Sequence, residues 1–120
     1  KKIKNIFILA DLSSVRNGTM KIKSINNKLE YVGKLSRKTS NGNFIGIAKI
    51  PKNKINIFKR FLVKSKNKSK KHYYTEILND LISNREKISI KNIAPYSWTE
   101  IDNEIDLRNA IRNKKKIIND

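Results

Sequence analysis

The residues best suited to chemistry crowd into one stretch, "SWTEIDNEIDLRNA" (Ser97 to Ala110). It holds four of the ten acidic residues of a 120-residue sequence that carries 28 Lys and Arg. Read as extended chain, "WTEID" points Trp98, Glu100 and Asp102 to one face and Thr99 and Ile101 to the other. Carboxylates two residues apart on one face stand about 6.5–7 Å apart at Cα, from the strand rise. Such a pair suits a hard cation such as Mg²⁺, commonly held by one or two carboxylates and completed by substrate phosphates. The same residues also read as a helix start. Asp102 or Asn103 can serve as N-cap, and Glu104 and Asp106 fall in the first turn, where negative charge is favoured. Capping accounts for Glu104 and Asp106, but not for Glu100 sharing a face with Asp102.

Other positions invite a binding role. Asp11 ends the apolar run "NIFILAD". In α/β sheets ligands gather beyond the carboxyl ends of strands, while Asp also favours turns. Gly46 interrupts "FIGIAKI", marking either close approach of a ligand or backbone, or a bulge. Tyr73 and Tyr74 could face a ligand cation, or could be ordinary core residues of a helix. The run "KSKNKSKK" (Lys64 to Lys71) reads as an exposed loop, its lysines solvated rather than bound to phosphate.

Composition narrows the field. With no Cys and one His, His72, a thiolate metal site, a Cys nucleophile, a His-based zinc site and a Ser-His-Asp triad all fall away. The apolar run Ile6 to Ala10 is far shorter than a membrane span or a signal peptide requires. A cytoplasmic protein with no membrane partner is therefore expected. The formal charge of +18 invites a nucleic-acid reading. Against it, 22 of the 28 basic residues are Lys, whereas bidentate phosphate recognition favours Arg. Lys, Asn and Ile make up nearly half the chain, as A/T-rich coding would produce. A small basic nucleic-acid-binding module stays as the alternative class.

These residues must be positioned by regular elements, and hydrophobic periodicity supplies them. A strand spans Asn5 to Asp11. Alternation on both sides of Asn26-Asn27 predicts a hairpin, because Asn tolerates the positive φ of a tight turn. A strand over Phe44 to Ile50 follows. Helices come next: one from Ile55, Phe58 and Leu62, and one from Tyr74, Ile77, Leu78, Leu81 and Ile82. "KISIKNIAPYSW" predicts a strand limited by Pro95. A last helix runs from about Asn103 to Ile118. The order strand, hairpin, strand, helix, helix, strand, helix predicts a single α/β domain over residues 1–120 with a mixed sheet.

"W-T-E-I-D-N-E-I-D-L-R-N-A" resembles the "W-x-E-I-D-x-x-x-D-L-x-x-A" ending of nucleotidyltransferases with the sugar-nucleotidyltransferase fold. The nearest likeness is to phosphocholine and aminoethylphosphonate cytidylyltransferases, including the cytidylyltransferase domains fused to phosphoenolpyruvate phosphomutase. "IFILAD" resembles the family strand ending in Asp. "NGNFIGIAKI" is similar to the family's "G-E-F-I-G-L-A-K-F", with Asn43 where the family usually has Glu, and "YTEILNDLI" is similar to the helix before its final strand.

The resemblance implies a partial Rossmann-like fold and Mg²⁺-dependent transfer of CMP from CTP to a phosphorylated or phosphonylated small alcohol or amine. It implies that Glu100 and Asp102 hold the metal, that Gly46 lets the acceptor approach, and that Asp11 and Trp98 line its pocket. Phosphocholine would call for an aromatic cage, with Tyr73, Tyr74, Tyr96 and Trp98 available. Aminoethylphosphonate would call for a carboxylate such as Asp11. The glycine-rich triphosphate loop of these enzymes has no counterpart among Gly18, Gly33, Gly42 and Gly46. The chain is therefore expected to correspond to the acceptor- and metal-side C-terminal half, with the N-terminal nucleotide-binding half absent, and to be inactive alone.

Overall fold

The computed structural model describes residues 4–68 and 74–118, with side chains to residue 115. His72 and Tyr73 lie outside the described residues. Among the described residues, four strands, β1 (Ile6–Asp11), β2 (Lys21–Ile25), β3 (Lys28–Gly33) and β4 (Gly42–Lys49), are followed by helices α1 (Ile55–Lys68) and α2 (Tyr74–Ser83), strand β5 (Ile88–Asn92) and helix α3 (Glu104–Ile118). The sheet closes on itself in the order β1-β4-β2-β3-β5. Only β1 and β5 run parallel; the other neighbours are antiparallel.

The closed barrel corrects the expectation of a partial Rossmann-like α/β fold. Two features drive closure. The β2–β3 hairpin turns on Asn26 and Asn27, both at positive φ (51° and 58°), the geometry of a type I′ turn that keeps the strands twisted. The hairpin tip then reaches β5, where Lys28 pairs with Ser89 and the Ile90 N–H donates to Asn27 O at 2.9 Å. This short seam removes the sheet's free edges.

Alternation places Ile6, Ile8 and Ala10 of β1 inside, with Ile22, Leu29, Val32, Phe44, Ile88 and Ile90. The buried face of α2, Ile77, Leu78 and Leu81, completes this core. Ile57, Phe58 and Phe61 of α1 pack against it. The predicted loop at Lys64 is instead helix as far as Lys68, because Lys is a good helix former and Ser65 is buried. Residues 69–71 of that run lie outside the described residues.

Gly46 sits at φ +86°, where the β1–β4 register shifts between Ile8 and Ala10. Nothing lies within 4 Å of where its Cβ would be, so this is the bulge reading, not a close approach. The close approach occurs at Gly42. A Cβ there would lie 2.5 Å from Leu12 Cδ2 and 3.2 Å from Asp11 O.

Asn79 of α2 clasps β3: its Nδ2 donates to Val32 O at 2.7 Å and its Oδ1 accepts from Val32 N–H at 2.9 Å. Val32 is 1% exposed, so truncating the amide would strand two backbone groups. Asn79→Ala should cost about 1–3 kcal/mol, measured by urea unfolding. A cost near zero would show that the clasp contributes nothing.

Candidate functional site

Parallel pairing brings the carboxyl ends of β1 and β5 to the same end of the barrel. The loop after β1 (residues 12–20) and the segment after β5 (residues 93–103) therefore emerge side by side. Their roots are tied: Ile93 N–H donates to Ala10 O at 2.9 Å, and Asn92 Oδ1 accepts from Leu12 N–H at 3.2 Å and from Ala94 N–H at 3.1 Å.

Asp11, 4% exposed, joins the two segments. Its Oδ1 accepts from Ser13 N–H (2.9 Å) and Ser13 Oγ (2.6 Å), and its Oδ2 accepts from the Trp98 indole N–H at 2.8 Å. Arg16 Nη2 stands 3.8 Å from the same Oδ2. The Arg16 guanidinium lies over the Trp98 ring, 4.4 Å from its centroid, while Nη1 donates to Trp98 O at 3.1 Å. Burial by itself would raise the Asp11 carboxyl pKa. The hydrogen bonds from Ser13 and Trp98, with Arg16 beside them, outweigh burial and hold it below the usual value.

Asn43 shapes the loop from beneath. Fully buried, it accepts from Arg16 N–H at 2.8 Å and from Thr19 Oγ1 at 3.3 Å, and donates to Ser14 O and Asp11 O. The Glu common at this place in the resembled family could not donate as Asn43 does.

The two segments enclose a pocket of about 270 Å³ whose walls include Arg16, Thr19, Trp98, Glu100, Asp102 and Asp106. Trp98, Glu100 and Asp102 all line this pocket, but so does Thr99, which simple extended alternation would turn to the opposite face. Burial, then the nearby Asp102 and Asp106, push the Glu100 carboxyl pKa up. Asp106 and Asn103 also perform the capping role: Asp106 N–H donates to Asn103 Oδ1 at 3.0 Å, and Asp102 N–H donates to Asp106 Oδ2 at 3.1 Å. The capping reading of the acidic stretch therefore holds. Among the described residues no three acidic or imidazole groups converge to hold an ion, leaving the Glu100 and Asp102 pair short of a full ligand set.

Other sequence expectations separate here. Asp11 is not itself part of the pocket wall; it stands behind Trp98 and Arg16 and is also the turn residue that its type favours. Gly46 is absent from the wall too. No aromatic cage assembles among the described residues: Tyr74 packs on Phe44 at 5.9 Å, and Tyr96 is 64% exposed and off the wall. Sequence reasoning missed the roles of Arg16 and Asn43, whose partners lie as far as 82 residues away.

It also missed a second depression of about 570 Å³ that shares Gly18 and Thr19 with the first and adds Lys21, Lys34 and Ser36. Lys21 is 7% exposed, and its ammonium donates to Thr19 O at 3.0 Å. It has no carboxylate partner among the described residues. A cation so buried favours an anion beside it.

No protein-family model matches the chain, and no curated protein is significantly similar to it. Among the described residues, no helix is long and apolar enough to cross a membrane.

The Asp11 anion should be visible in acid. With its folded pKa depressed below the unfolded value near about 3.9, its stabilisation is present above that pH and is lost as pH falls through the folded value. Acid unfolding followed by fluorescence of Trp98, the sole tryptophan, should show this loss below about pH 4. Asp11→Asn should lack the step and be less stable at pH 7; an unchanged acid profile would contradict the assignment.

Proposed function

We propose that the chain forms the acceptor- and metal-binding side of a cytidylyltransferase-like nucleotidyltransferase. The reaction moves CMP from CTP to a phosphorylated or phosphonylated small alcohol or amine, such as phosphocholine or 2-aminoethylphosphonate, in a cytoplasmic setting. The observation that carries the reading is the Trp98–Asp11 hydrogen bond. It joins, across 87 residues, two of the segments that resemble the family, beside a pocket containing Glu100 and Asp102.

In this reaction an acceptor phosphoryl oxygen bonds to the α-phosphorus of CTP. The bond from that phosphorus to the bridging oxygen of the β-phosphate breaks, and pyrophosphate leaves. Positioning and charge neutralisation supply most of such catalysis, so neither Cys nor a His base is needed. Glu100 and Asp102 would hold Mg²⁺, whose chemistry when bound is to neutralise charge on the phosphates.

The face of Trp98 already carries a cation, the half-exposed Arg16. An acceptor ammonium would take that face once Arg16 swings outward. The anionic end would then point across Thr19 toward Lys21 and Lys34. A zwitterion matches this pairing of an acidic, aromatic pocket with a basic one.

Titration of the chain with phosphocholine or 2-aminoethylphosphonate should change Trp98 fluorescence saturably. Ethanolamine or choline without the phosphoryl group should bind at least about tenfold more weakly, the loss of one charge-assisted contact. Equal or absent responses would count against the acceptor site. Separately, with no glycine-rich loop in these 120 residues, CTP-dependent pyrophosphate release by the chain alone should be negligible. Measurable turnover would refute the need for a separate nucleotide-binding half.

A further inference from the structure

Charge is segregated along this chain in a way that neither the site nor its proposed reaction uses. From Tyr31 to Thr75 the sequence contains 13 Lys and Arg and not one Asp or Glu. α1 lies within that stretch. Its inner face, Ile57, Phe58, Phe61 and the buried Ser65, is turned to the core. Helical periodicity brings Ile55, Lys59, Leu62 and Lys66 onto one exposed stripe beside that inner face, with Val63 turned further outward. All five are exposed: Ile55 37%, Leu62 48% and Val63 61%, with Lys59 and Lys66 among them. Among the described residues no carboxylate pairs with Lys59, Arg60, Lys64, Lys66 or Lys68. The exposed side of α1 thus carries Lys, Arg and neutral Asn where it is polar, no acid, and only aliphatic residues where it is apolar.

We propose that this face of α1 docks on an anionic lipid surface, the helix lying in the headgroup plane. Lysines attract the headgroups, and Ile55, Leu62 and Val63 enter the boundary with the acyl chains, the pattern of an interfacial amphipathic helix. At 14 residues, roughly 21 Å long, α1 is too short to span a bilayer but long enough to lie on one. The aliphatic residues favour lipid over nucleic acid as the polyanion. A single-stranded nucleic acid would be gripped by aromatics among the cations, and both aromatics of α1, Phe58 and Phe61, are turned to the core. The inference stands apart from the proposed transferase reaction.

The test is sedimentation of the purified chain with phosphatidylserine-rich vesicles and with vesicles of phosphatidylcholine alone. The chain should pellet with the first and not the second, and release as salt rises. Leu62→Ser with Val63→Ser should weaken binding about tenfold or more while keeping every charge. Lys59→Glu with Lys66→Glu should abolish it. All four positions are exposed, and unchanged circular dichroism would confirm that the variants fold. Three outcomes would overturn the proposal: no binding to anionic vesicles, binding unaffected by the Leu62 and Val63 changes, or tighter binding to single-stranded RNA or DNA that those changes leave untouched.

Discussion

A buried carboxylate must be satisfied by its surroundings, and Asp11 meets that demand with groups drawn from two separate parts of the chain. Ser13 and Arg16 come from the loop that follows it, and Trp98 comes from beyond β5. The indole N–H on Asp11 Oδ2 holds the acidic segment against the barrel. Trp98 then presents its ring to Arg16, and the chain running on through Glu100 to Asp102 forms one wall of the pocket. Parallel pairing of β1 with β5 is the precondition, since it delivers both segments to one end.

Asparagine does much of the remaining joining. Asn43 organises the loop from Asp11 to Thr19, Asn79 fastens α2 to β3, and Asn92 ties the roots of the two segments. Asn41 does the same for β2, accepting from Ser24 N–H at 3.0 Å and donating to Ser24 O at 2.7 Å. One amide offers both donor and acceptor, so it can satisfy backbone that has no strand neighbour. A small barrel joined by a short β3–β5 seam has many such places. Biased composition therefore does not make these asparagines idle, even if coding bias raised their number.

Charge is divided with similar economy. Glu100, Asp102 and Asp106 share one pocket, where burial and then their mutual repulsion raise the Glu100 pKa. α1 carries cations beside exposed aliphatics. Net charge alone would merge these two features into one basic protein. Their separation gives the chain one acidic, aromatic region and another that is cationic and aliphatic.

Local periodicity made most elements legible, because alternation and helical spacing are properties of neighbouring residues. The Asn26-Asn27 hairpin, the strand ending at Asp11, the α2 stripe and the Asn103 cap could all be read that way. The helical continuation through Lys68 was hidden because a lysine run carries no apolar signal. Closure of the sheet, the bulge at Gly46, the tight approach at Gly42 and the roles of Arg16, Asn43 and Asn79 were decided by tertiary structure alone. Each depends on which distant strand or loop lies alongside, and that is set by packing the whole apolar core at once rather than by any local pattern.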